Sequence, residues 1–320
     1  MKTVSAEDLE RLAPHGEIVE ALRQAFAARY VAPLRHHHDI ARGPAPAATY
    51  LLMPAWSDMP QSEEGDEEGF IGLKTVLVVP DNPGRGKPTV QATYQLFSGL
   101  TGSLLALLDG TELTLRRTAS ASALGASYLA RANSSRLLMV GAGALAPHMV
   151  RAHAAVRPIR QVAVWSRTRA SAEALVRTLA DEGFEAHVPD TLETAVAEAD
   201  IVSCATTSSE AIVFGKWLKP GVHVDLVGAF RPTMREVDGA ALANSRVFVD
   251  TREGALSEGG DLIQAIDEGA FSPEDVQAEL TELVTGAHAG RSGADDITVF
   301  KSCGTALEDL ATAIMVYRRL

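Results

Sequence analysis

The chain has 320 residues, of which 46% are hydrophobic and 22% charged, and a formal net charge of −12. This length accommodates two domains, and the acidic balance excludes nonspecific attraction to nucleic acid or an anionic membrane. Two cysteines, Cys204 and Cys303, make neither a disulfide framework nor a metal-ligand pattern. The start MKTVSAEDLERLAP is acidic and amphipathic rather than a basic apolar leader, and no apolar run approaches the ~20 residues that span a bilayer, so a reducing cytoplasm is the expected compartment.

The N-terminal third reads as a helix followed by sheet. Ile18, Ala21, Leu22, Ala25 and Phe26 recur at helical spacing and form one apolar face. Runs over 50–53, 71–79 and 89–96, rich in β-branched and aromatic residues and separated by Pro, Gly and Asn, predict antiparallel strands. Between them, QSEEGDEEG (61–69) packs five carboxylates into nine residues and predicts a solvated loop. His36, His37 and His38 do not make a metal site, because consecutive side chains do not converge on one ion. Lys74 is a lone charge in the apolar run FIGLKTVLVV. Buried, it needs an anionic partner or loses its proton; on the other strand face it meets solvent, and the pattern leaves both open.

Residues 113–132 (LTLRRTASASALGASYLARA) predict a long helix of small residues. Arg117 poses the same question as Lys74, since a guanidinium fork suits a carboxylate. Arg116, about 100° round the helix, is expected to be its solvated neighbour.

The segment RLLMVGAGALAP then passes from an apolar strand into a helix over 146–156 through Gly141, Gly143 and Ala146, the G-x-G-x-x-A dinucleotide fingerprint. Gly141 permits the turn, Gly143 removes the side chain that would block a pyrophosphate, and Ala144 and Leu145 complete the phosphate loop. Pro147 suits the first helical turn, and His148 beside it is expected to be structural. After a second strand over 162–165, the position that accepts the adenosine ribose holds Ser166, Arg167, Thr168 and Arg169 with no carboxylate. This pattern predicts NADPH as the preferred cofactor, with NADH a possible substitute.

Short apolar runs over 185–188, 200–205, 222–227 and 246–250, spaced by helical stretches, predict a doubly wound parallel sheet. Ligands of such sheets lie beyond the carboxyl ends of the strands. Ala205, Thr206 and Thr207 end one strand there, as a nicotinamide-ribose contact or a polar turn. At the next strand end Gly228 allows close approach of a nicotinamide, and Phe230 offers an apolar wall. The segment 305–320 predicts an amphipathic helix crossing back onto the first domain.

Several motifs in consistent order cover nearly the whole chain: LLMPAW (51–56), GLKTV (72–76), DGTELTLRRTASASALGA (109–126), GAGALA (141–146), GAFRPTMREVD (228–238), VFVDTREGALSEGGDL (247–262) and VFKSCGTALEDLA (299–311). Together they resemble the ornithine cyclodeaminase and mu-crystallin family. The resemblance implies an α/β fold: an α+β substrate-binding and dimerisation domain (1–115, completed by 303–320) and a Rossmann-type domain (116–302), in a homodimer. It implies that Lys74 is the active-site lysine, that Arg117 binds the substrate carboxylate, and that Arg35 joins it, with Arg42 as a competitor. QSEEGDEEG looks like an insertion relative to most members.

Ornithine cyclodeaminases carry an aspartate where this chain has Phe230, so the likeness is to the ketimine reductase branch. The expected activity is NADPH-dependent reduction of a small cyclic imino acid, 1-pyrroline-2-carboxylate or 1-piperideine-2-carboxylate, to L-proline or L-pipecolate. The rivals are ornithine cyclodeamination, an amino-acid dehydrogenase and a non-catalytic NADPH binder.

Overall fold

A computed structural model describes residues 1–57 and 69–320. Nearly all of the acidic 61–69 segment therefore lies outside the described residues. The chain divides into two compact units, 1–118 with 305–320, and 119–304.

The first unit contains β1 (Lys2–Val4), α1 (Ala6–Leu12), α2 (His15–Ala27), β2 (Tyr30–Val31), β3 (His36–Arg42), β4 (Ala45–Ser57), β5 (Phe70–Val78), β6 (Val90–Ser98), β7 (Leu104–Asp109), the start of α3 (Gly110–Leu129) and the C-terminal helix (Ala306–Tyr317). Its sheet runs β1-β7-β6-β5-β4-β2, with β3 also paired to β4. All pairs are antiparallel except β1 with β7. Strand alternation gives the sheet two unlike faces. Residues 70, 72, 74 and 76 of β5 are buried, whereas Ile71 and Leu77 are exposed. The buried face shares its core with Ile18, Val19, Leu22 and Phe26 of α2 and Leu310 and Ile314 of the C-terminal helix.

Helix α3 begins three residues before the expected position, because Asp109 Oδ1 caps it by accepting from Glu112 N at 2.8 Å. It ends at Leu129, ahead of a turn in which Ser134 N bonds Arg131 O. The unit boundary falls after Thr118, so Arg116 and Arg117 belong to the first unit and not, as expected, to the second.

The second unit continues with β8 (Arg136–Val140), α4 (Ala146–Val156), β9 (Gln161–Trp165), α5 (Arg169–Asp181), β10 (Glu185–His187), α6 (Leu192–Glu198), β11 (Ile201–Cys204), β12 (His223–Leu226), α7 (Gly239–Ala243), β13 (Arg246–Val249), α8 (Arg252–Glu258), α9 (Gly260–Asp267), β14 (Val276–Glu279), α10 (Leu280–Val284) and β15 (Thr298–Lys301). Its eight strands run β10-β9-β8-β11-β12-β15-β13-β14 and every pair is parallel. The strand order reverses between β8 and β11, which is the switch point where such sheets open a ligand crevice. Parallel strands covered on both faces read as continuous apolar runs, as in the fully buried β11 and β12.

Candidate active site

In the first unit, Lys74 and Arg117 meet on the covered side of the sheet. Alternation along β5 places Lys74 beside its cross-strand partner Tyr94, and only 1% of it is exposed. The buried alternative is thus the one realised. Lys74 Nζ lies 2.7 and 2.8 Å from the two carboxylate oxygens of Asp309. Arg117 Nε donates to Asp309 Oδ1 at 3.0 Å, and its Nη1 donates to Glu308 Oε2 at 2.6 Å. Both acids are fully buried in the first turn of the C-terminal helix, where the macrodipole favours negative charge. Thr305 and Glu308 cap that helix reciprocally.

Two cations and two anions leave this buried group neutral when all are ionised. Burial and then the charge of Arg117 bring Lys74 down to about 7, against the opposing pull of Asp309; Arg35 lowers it further. Arg117 has the opposite fate: burial alone would lower it, but Asp309 and Glu308 outweigh burial and raise it. The Tyr94 hydroxyl is buried without a hydrogen-bond partner among the described residues. Gly72 makes room for it, since a Cβ there would lie 1.8 Å from Tyr94 OH.

Arg35 is half-buried and adds its positive charge to that felt by Lys74. Its competitor Arg42 is engaged elsewhere, in an ion pair with Asp81. Arg116 corrects an expectation: it is buried, with Nε 2.6 Å from Glu112 Oε1 and Nη1 3.1 Å from Ala13 O. Helix α3 is covered on that side too, so a cation there must pair within the protein. His36, His37 and His38 occupy successive positions of β3, and among the described residues no group of three His, Cys, Asp or Glu side chains is disposed to hold a metal.

The second unit carries the fingerprint at its switch point. Gly141 has φ +117°, and a Cβ there would fall 2.5 Å from Ala205 O. A Cβ on Gly143 would meet nothing within 4 Å, leaving open space where a pyrophosphate needs it. Ala144 is exposed and Leu145 half-buried, and no side chain caps the start of α4, where Ala146 N bonds Gly143 O at 3.0 Å and Pro147 has no N–H to satisfy. His148 is buried on this helix.

Beyond β9, Ser166 is half-buried and Arg167, Thr168 and Arg169 are exposed. Arg169 is paired with Glu173 on its own helix at 3.0 Å, and no acid occupies the first turn of α5. Ala205 and Thr206 are half-buried and Thr207 exposed after β11. Gly228 follows β12 so closely beside Thr206 that a Cβ would lie 2.2 Å from Thr206 O. Phe230 is 37% exposed, with the Arg231 guanidinium 5.9 Å from its ring centroid. These residues fit a dinucleotide: a glycine turn with open space at Gly143, a helix start without a side-chain cap, and close-packed loops at the strand ends.

Sequence reasoning missed Glu308, Asp309 and Tyr94. The first two sit in VFKSCGTALEDLA, where a pair of acids opening an otherwise apolar helix was the available signal.

The profile of the ornithine cyclodeaminase/mu-crystallin family matches residues 52–320. A Delta(1)-pyrroline-2-carboxylate reductase of Paracoccus denitrificans is 40% identical over 94% of this chain and 92% of its own. Among solved structures, the Delta(1)-pyrroline-2-carboxylate reductase of Thermococcus litoralis in complex with NADH and L-proline is similar at TM-score 0.92 and 32% identity, covering 100% of this chain and 97% of its own. An archaeal alanine dehydrogenase dimer with bound NAD follows at TM-score 0.88 and 30% identity, covering 99% and 95%.

Proposed function

This chain belongs to the ornithine cyclodeaminase/mu-crystallin family and is a nicotinamide-dependent oxidoreductase; from that premise we propose that it reduces cyclic ketimine carboxylates, 1-pyrroline-2-carboxylate or 1-piperideine-2-carboxylate, with NADPH. The products are L-proline or L-pipecolate. The observation that carries the reading is the convergence of cations around Lys74: Arg117 is held there by Glu308 and Asp309, and the charge of Arg35 is near enough to lower Lys74. A substrate carboxylate suits such a site. Arg117 and Arg35 then hold the carboxylate, and fixing the ring in this way removes much of the entropic barrier.

Gly141, Gly143 and Gly228 would hold a dinucleotide whose reduced nicotinamide would supply a hydride for the imine carbon. As that carbon–hydrogen bond forms, the C=N π pair moves onto nitrogen, which holds a proton in the product. Lys74, ionising near neutrality, is suited to deliver that proton. Phe230 offers an apolar wall at the strand end that would receive the nicotinamide. It stands where the resemblance places the cyclodeaminase aspartate, so no carboxylate from that position takes up an open-chain amine.

Following NADPH absorbance with the two cyclic imines, with pyruvate plus ammonia, and ammonia release with ornithine plus NAD separates the readings. Consumption of NADPH only with the imines is the expected outcome. Turnover of ornithine or pyruvate alone would replace the proposal by cyclodeamination or amino-acid dehydrogenation.

The preference for NADPH is supported by the absence of an acid at 166–169 and by the exposed position of Arg167. Ser166→Asp should lower kcat/KM with NADPH about tenfold or more while sparing NADH, because a carboxylate repels the 2′-phosphate and accepts from ribose hydroxyls. Equal losses with both cofactors would place the adenosine elsewhere.

A homodimer is proposed through the uncovered sheet face of the first unit. Tyr50, Leu52, Pro54 and Trp56 of β4 lie there opposite Leu77, Thr75, Leu73 and Ile71 of β5, none of them fully buried. Contiguous apolar surface of this kind marks an interface, and a mass in solution of twice the chain checks it. Among the described residues no helix is long and apolar enough to cross a membrane, and both cysteines are free and buried. The proposed compartment is the cytoplasm.

A further inference from the structure

Among the ionisable side chains buried in the second unit, Glu236, Asp261 and Lys301 form one cluster, each with 0% exposure. Glu236 gives one carboxylate oxygen to each of two loops: Oε1 accepts from Thr206 N and Oε2 from Gly228 N, both at 2.7 Å. Those amides follow neighbouring strands, β11 and β12, at the switch-point end of the sheet. There is no slack between them, since a Cβ on Gly228 would lie 2.3 Å from Glu236 Oε1.

Asp261, in the first turn of α9, accepts from Glu236 N at 2.6 Å and from Val237 N at 3.1 Å. Lys301, ending β15, brings Nζ to 3.2 Å from Asp261 Oδ2. Arg235 next door is taken by Glu268 and by Val237 O. With all three ionised the trio carries one net negative charge, on side chains with no exposed surface. Burial first and Asp261 second push Glu236 up to about 7, with Lys301 pulling the other way. A core that needed only apolar packing would not retain such a group.

We propose that Glu236 is a positioning residue of the nicotinamide pocket: its carboxylate ties the Thr206 and Gly228 loops into one wall, and the net negative charge of Glu236, Asp261 and Lys301 favours the oxidised, cationic ring over the reduced, neutral one. This rests on the reading that these loops receive the nicotinamide. A ring that gives up a hydride passes from neutral to a single positive charge. Fixed negative charge in a region of low dielectric stabilises that change without having to reorganise as it happens.

The test compares binding of NADPH, read by its fluorescence, with that of NADP+, read by displacement. It uses the full chain as wild type, Glu236→Gln and Asp261→Asn, above neutral pH where Glu236 is ionised. Both substitutions take the trio from one net negative charge to zero from different elements, and only the first removes an acceptor from the loop amides. The ratio of the NADP+ Kd to the NADPH Kd is expected to rise about tenfold in both variants. Glu236→Gln should also weaken NADPH itself. A pair of affinities measured on one sample gives a ratio independent of the fraction folded, and either variant alone suffices if the other does not fold. An unchanged ratio overturns the proposal. A wild-type chain that binds neither nucleotide overturns instead the cofactor reading on which it rests.

Discussion

Arg117→Ala is expected to lower kcat/KM for a cyclic ketimine carboxylate by about a thousandfold, equivalent to about 4 kcal/mol of lost transition-state binding. The guanidinium is buried and already fixed by Glu308 and Asp309, so it meets a carboxylate in a set orientation. Its removal also breaks the buried ion pairs that Glu308 and Asp309 make with it. Breaking a buried pair on one side costs about 3–5 kcal/mol of stability, and thermal unfolding should register that loss. Arg117→Lys separates the two effects. A retained charge should recover much of the stability, while an ammonium cannot reproduce the bidentate fork, so turnover should remain low. Near-normal turnover by a folded Arg117→Ala enzyme would remove the carboxylate clamp from the mechanism.

Lys74→Met is expected to lower kcat/KM by about a hundredfold, the usual contribution of a positioned proton donor, and to remove a pair of opposed pH dependences. In the folded chain Lys74 titrates at about 7, below the ordinary lysine value of 10.5. Between those limits the unfolded chain binds the extra proton, so this residue makes stability climb as pH rises through the window. Activity runs the other way, because the ammonium form is the one that binds the carboxylate and delivers a proton. The free-enzyme profile, kcat/KM, should fall as pH passes about 7. The limb in kcat should lie higher, since a bound carboxylate favours the charged lysine. Both slopes should vanish in Lys74→Met. A kcat/KM limb that survives the substitution would assign the titration to another group.

The fingerprint was legible because every step in it is local. An apolar strand, a glycine turn and a capless helix within twenty residues produce β8 and α4 wherever the rest of the chain goes, and α4 occupies 146–156 as expected. The antiparallel run β4-β5-β6 was legible for the same reason, through alternation and turn residues. Elements that depend on distant partners were not. β1 is three residues long and exists as a strand only because β7, about a hundred residues later, pairs with it. β15 enters the sheet between β12 and β13, an insertion out of chain order that spacing does not reveal.

The charges followed the same division. Lys74 and Arg117 stood out as cations in apolar surroundings, yet what decides their state is a pair of acids some 190–235 positions away in sequence. Arg116 was misjudged because helical periodicity gives the angle between neighbours and not what covers each side; α3 is enclosed where Arg116 lies. Glu236 carried no signal in its own segment, since its partners are backbone amides from two separate loops.

The completion of the first unit by residues 305–320 has a consequence for how the molecule is made. The ribosome releases Lys74 and Arg117 long before Glu308 and Asp309, with the whole of 119–304 still to be translated. At about 5–20 residues per second that interval lasts roughly 10–40 s, during which the nascent N-terminal segment has to keep two cations hydrated that its finished form encloses. Arrival of the helix over 306–317 is therefore the event that licenses closure of this core, and a chain whose synthesis stalls ahead of it would present an open sheet with two unneutralised cations to the quality-control machinery.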